Sequence, residues 1–183
     1  NTSVRLDCSH PFLKSSDKKY FTIQSNFLPV HNTNSYGSVE TIPYLPQGNM
    51  NEGTALNIYK DDEYIKKIDF NSLGTLPFAF SFFGKTQNSI TISSNGFITF
   101  NDDIKEGDFS TPDIKNQTIP NPLLPPASVF GVMQDLLFST RNGGEIYYKL
   151  EGSVPCRKLI INFYNGTLIG SDQTSSSQIV LYE

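Results

Sequence analysis

Apolar and polar residues alternate most clearly in the middle of the chain, where Leu76–Gly84 (LPFAFSFFG) leads into Ile90–Phe100 (ITISSNGFITF). Ile90, Ile92, then Phe97 or Ile98 and Phe100 flank Asn95-Gly96, the pattern of two strands joined by a two-residue turn with positive φ. Shorter runs of strand character follow the same logic at Leu56–Tyr59, Tyr64–Phe70, Ser128–Met133, Gly144–Leu150, Lys158–Tyr164 and Ser177–Tyr182. Together they predict about eight short strands separated by turn residues, the sequence form of a sandwich or barrel. One more strand is expected near Tyr20–Ile23, and an extended segment at Tyr36–Tyr44. Pro43 and Pro46 close that segment and suit a sheet edge, because proline offers no ladder donor. Thr111–Pro126 carries Pro112, Pro120, Pro122, Pro125 and Pro126, which forbids helix and predicts an ordered surface excursion. Asp102–Glu106 is too short to hold a helix by itself.

Composition sharpens the class. Among 183 residues there are 14 Phe and 9 Tyr but no Trp, side chains that suit a pleated, half-buried surface. The expected fold is all-β, a mainly antiparallel β-sandwich with long Pro-rich and N-terminal loops. Its length fits one domain with a sizeable core, read as residues 36–183, with residues 1–35 an irregular segment packed on it. Lys and Arg number 14 against 18 Asp and Glu, a net charge of -4, and the basic residues form no stripe that could track phosphates, which argues against nucleic acid. No apolar run is long enough to form a membrane-spanning helix, and the first residues lack the layout of a signal peptide.

Candidate chemistry is sparse. Asp61, Asp62 and Glu63 form the densest acidic group, with Asp69 and Asp102-Asp103 elsewhere, and oxygen-rich turns of this kind hold calcium in extracellular β domains. A solvated acidic turn is the plainer reading. His10 and His31 lack ligand spacing and receive no role. Asp135 and Glu145 are the best pair for a glycan-cleaving site, each beside an apolar strand where desolvation raises a carboxyl pKa. Strand-end capping explains both equally well. No nucleophile elbow is present, and Gly143-Gly144 reads as a turn rather than a phosphate cradle. Tyr147 and Tyr148 point to opposite faces of one strand, so one is expected to be exposed. Cys8 and Cys156 either form one bridge across a long loop or stay reduced; two cysteines decide neither that nor the compartment. Sequons at Asn116 and Asn165 carry meaning only in a eukaryotic secretory pathway.

Taken together, LPFAFSFFG, Ser94–Phe100 (SNGFITF), Ile119–Pro122 (IPNP), Ser128–Val132 (SVFGV), Gly143–Tyr148 (GGEIYY), Gly152–Phe163 (GSVPCRKLIINF) and Ser177–Glu183 (SQIVLYE) resemble the β-rich N-terminal domain of large secreted Bacteroidota surface proteins. Members of that group carry a type IX secretion sorting domain of the gliding-motility-associated type. The order FFG then SNGFI also resembles the extracellular domain shared with nidogen. The resemblance covers about residues 36–183 and implies a secreted or cell-surface module of a longer polypeptide, with the type IX machinery as its export partner. It brings no catalytic residues. Related sequences place a cysteine in the segment matching Phe80–Phe82 and another between Tyr164 and Ser171, whereas this chain has Ser81 and no cysteine in the second stretch. That departure weakens the expected Cys8–Cys156 pairing. The family pattern also continues past Leu181–Glu183 into a further strand, so an open edge at Ile179–Tyr182 and a fragmentary chain are expected.

These observations lead to a noncatalytic, adhesin-type extracellular module that contacts surface glycans or other proteins, with no cofactor beyond calcium. The alternatives are a carbohydrate-binding module or glycan-active enzyme, and a structural spacer or export cargo domain without a dedicated ligand.

Overall fold

The computed structural model describes residues 53–57, 60–110, 118–139, 141 and 143–183. The chain divides into two compact units, Asn1–Pro43 and Tyr44–Glu183, and every described residue belongs to the second. The strands expected at Tyr20–Ile23 and Tyr36–Tyr44, the two histidines, Cys8 and Asn116 lie outside the described residues.

The second unit is all-β, and every strand pairing is antiparallel. The first sheet runs in the order β1 (Thr54–Ala55), β9 (Glu145–Glu151), β10 (Lys158–Leu168), β11 (Thr174–Tyr182), with β8 (Leu136–Leu137) also on β10. The second runs β2 (Tyr64–Asp69), β5 (Ser89–Ser93), β6 (Phe97–Thr99), β7 (Ser128–Phe130). β3 (Phe80–Phe82) and β4 (Lys85–Gln87) form a separate small hairpin. Alternation along each strand builds the sandwich: Ile90, Ile92 and Ile98 of the second sheet share one core with Ile146, Leu159, Ile161, Phe163, Ile179 and Leu181 of the first. Phe70 and Phe78 close one end of that core, edge to face at 5.4 Å, the arrangement that aromatic quadrupoles favour.

β5 and β6 are buried on both faces. The period-two pattern left Phe97 and Ile98 as alternatives, and both turn out to be core residues of different clusters. Ile98 enters the main core, while Phe97 enters a smaller one with Tyr64 and Leu124, against which Ile104, Phe130 and Met133 pack. The loops of residues 101–110 and 118–127 thus roof the second sheet.

Turn chemistry differs from the sequence reading in an instructive way. Pairing of Ser93 with Phe97 makes Ser94-Asn95-Gly96 a three-residue connection in which only Gly96 has positive φ, at 78°, the bulged form typical of three-residue hairpin loops. The two-residue turn with positive φ at both positions falls instead at Phe83-Gly84, with φ of 47° and 78°, between Phe82 and its partner Lys85. The sequence reading also missed β8, a strand of two residues, too short to show any period.

One buried ion pair ties the end of β11 to the LPFAF segment. Arg157 and Glu183 side chains are each 5% exposed. Arg157 Nε donates to Glu183 Oε2 at 2.7 Å, its Nη2 donates to Glu183 Oε1 and to the Pro77 carbonyl, and its Nη1 donates to the Leu76 carbonyl at 2.8 Å. The Ala79 N–H donates to the same carboxylate at 3.1 Å, and the guanidinium lies 5.6 Å from the Phe78 ring centre. The Arg157 hydrogen bond holds the Glu183 carboxyl below its ordinary range despite desolvation. A depressed folded pKa gives stability that is complete above the unfolded value and is lost as pH falls through the folded one. Removing one partner of a buried pair leaves the other charge uncompensated, so Glu183→Gln is expected to cost about 3 kcal/mol at neutral pH. Urea unfolding checks this, and the gap between the two proteins should narrow as the solution is acidified.

Candidate functional site

The acidic turn before β2 and the hairpin turn between β5 and β6 meet at one buried junction. The turn residues Ser93, Ser94 and Asn95 are fully buried, so their polar groups must be paired inside the protein. Asn95 Nδ2 donates to Asp62 Oδ1 at 2.8 Å and to Ser110 Oγ at 3.3 Å, and Asn95 Oδ1 accepts the Leu136 N–H at 3.1 Å. Ser94 adds a reciprocal pair: its N–H donates to the Glu63 carbonyl at 2.9 Å and its hydroxyl accepts the Glu63 N–H at 2.9 Å. Gly96 is required here, because a Cβ would lie 2.4 Å from the Val132 carbonyl oxygen.

The junction brings a third carboxylate to the acidic turn. Carboxylate oxygens of Asp61, Asp62 and Asp135 lie within 4.8 Å of one another. Asp61 is therefore raised above its ordinary value, first by desolvation and then by the charges of Asp62 and Asp135. Of the three residues expected for calcium, Asp61 and Asp62 are brought together; Glu63 turns away, facing Lys60 at 3.6 Å. Asp135 comes from a distant part of the chain, and no spacing rule in the sequence could have joined it to Asp61. The arrangement offers a hard oxygen set suited to a divalent cation.

An apolar groove lies beside this turn. Glu63 bridges to Phe109, Ser110 N–H donates to the Asp62 carbonyl at 2.7 Å, and Tyr64 N–H donates to the Asp108 carbonyl at 2.8 Å, which clamps the residue 107–110 loop to the start of β2. The groove, about 330 Å³, is lined by Tyr64, Ile104, Asp108, Phe109, Leu123 and Leu124 with Pro122, Pro125 and Pro126. Phe109 is 81% exposed and Leu123 68%. Burial, then the Asp108 charge, push the Tyr64 hydroxyl up to about 12, so it stays neutral. A second groove of about 420 Å³ lies under the β3–β4 hairpin between Phe82, Phe83, Lys85, Gln87, Ala127 and Ser128.

Other sequence candidates fall elsewhere. Glu145 accepts the Tyr147 hydroxyl at 2.5 Å on β9, while Asp135 sits with Asp61 and Asp62. The expectation of an exposed tyrosine on β9 is corrected: Tyr147 is buried at 5% exposure and Tyr148 is half-buried against the main core. Pairing on both sides of β9, by β1 and β10, leaves neither ring outside. The exposed aromatics are instead Phe83 and Phe109, on turns that strand alternation does not address. Cys156 is not a free thiol, and Asn165 adopts φ of 54° within β10.

The profile of the NIDO-related family matches residues 38–183. The chain belongs to the NIDO-related family. No curated protein and no solved structure matches it. Membership bears out the nidogen side of the sequence resemblance and points to an extracellular, noncatalytic module. Among the described residues no helix is long and apolar enough to cross a membrane. In this NIDO-related domain, crowding of carboxylates at the turn gives a signed expectation. A raised folded pKa means the ionised form weakens the fold, a penalty present above that pKa and relieved as pH falls through it. Asp61→Asn should therefore melt higher than the wild type at neutral pH, with the difference vanishing in acid, as read by thermal scans at both conditions.

Proposed function

We propose that this domain is a noncatalytic adhesion module whose contact surface is the Phe109–Leu123 groove and the acidic turn beside it. The observation that carries this reading is the pair of large apolar side chains, Phe109 and Leu123, held out over a groove walled by three prolines. Prolines restrict the backbone, so less order has to be imposed when a partner binds. Exposed apolar groups rimmed by polar residues are typical of interaction sites. The lining is carbon-rich, with Asp108 its only charged side chain, which favours an apolar stretch of another protein over a sugar. Calcium at Asp61, Asp62 and Asp135 would neutralise the turn that the Phe109 loop is clamped to. Within the same reading, residues 1–35 pack on the domain, Cys8 bridges Cys156, and the module sits in a larger surface polypeptide exported by type IX secretion.

Two arms test the proposal. Extracellular-surface protein and glycan arrays are probed with the purified wild-type domain and with Phe109→Ser/Leu123→Ser, each with and without calcium. The expected result is capture by protein spots that the double variant loses at least tenfold, strengthened by calcium. Glycan spots bound equally by both proteins, or protein capture unaffected by the substitutions, would contradict it.

A further inference from the structure

Sheet edges in this domain are guarded, with one exception. A strand edge exposes unpaired N–H and C=O groups, and proteins blunt such edges by shortness, charge, proline or a bulge. Among the described residues, β1 has two residues and β7 three. β2 carries Lys66, Lys67 and Asp69 and a register irregularity between Tyr64 and Lys66. β11 is nine residues long, reads TSSSQIVLY without a charge, proline or glycine, and has β10 as its one neighbour.

We propose that β11 is a self-association edge, to which a second copy of this chain adds its own β11 antiparallel about a twofold axis. Twofold pairing of a strand with itself keeps core-side residues on one side, so the layer containing Ile179 and Leu181 continues across the junction. The strand carries no charge, so no like charges meet across it. A foreign peptide would need pockets that read its alternate side chains, and neither groove is lined by a β11 residue. An edge-only contact belongs to the weak, transient class.

Sedimentation velocity across a micromolar to millimolar concentration series tests this, comparing the wild type with Thr174→Lys/Ser176→Lys. Both positions are exposed, and the lysines would guard the edge without entering the core. The wild type is expected to shift from monomer to dimer while the variant stays monomeric over the whole series. A wild type that remains monomeric, or a variant that dimerises equally well, overturns the proposal. Hydrogen exchange on the wild type gives a reading independent of substitution: β11 amides should gain protection as concentration rises, and an unchanged rate would refute self-pairing.

Discussion

The buried amide of Asn95 is the constraint on which the arrangement depends. A carboxamide has one acceptor and one two-hydrogen donor, and here both ends are engaged, with Asp62 and Ser110 on the nitrogen and the Leu136 backbone on the oxygen. Three segments far apart in sequence are thereby fixed to a hairpin turn that is itself out of contact with water. Unpaired polar groups in such a place are costly, so the junction sets where the acidic turn, the Phe109 loop and the Asp135 segment can lie.

From that junction the functional surface follows. Two core clusters sandwich β5 and β6, giving the turn a rigid base, and the loops above it take their positions from hydrogen bonds at the start of β2. Binding groups are therefore carried on loops, and the scaffold holds them in place. Carboxylates brought together there repel one another, which leaves the acidic turn open to tuning by protons or by a cation. At the opposite end of the chain's pattern, the Arg157–Glu183 pair anchors LPFAF by its backbone carbonyls, so the main core is closed by a charge pair as well as by aromatic rings.

Much of the fold was legible because strands with one buried face write a period of two. Tyr64–Asp69, Glu145–Glu151 and Lys158–Tyr164 were visible for that reason. The turns were harder. Asn95-Gly96 reads as an exposed two-residue turn, yet burial recruits its amide into a network, and the tight turn falls at Phe83-Gly84, where a bulky residue hides the signal. Of the site, Asp61 and Asp62 could be read as neighbours in sequence, whereas Asp135 arrives through tertiary pairing alone. Tyr147 was expected to have an even chance of facing solvent, since alternation says which face a residue takes but not what covers that face.

The measurement that tests the central claim most directly is equilibrium urea unfolding of Asn95→Ala. If the amide is the junction described, truncation leaves the Leu136 N–H and Asp62 without their partner and opens a small void, and stability should fall by about 2–4 kcal/mol. A loss within about 0.5 kcal/mol, as for an ordinary surface turn, would contradict the account.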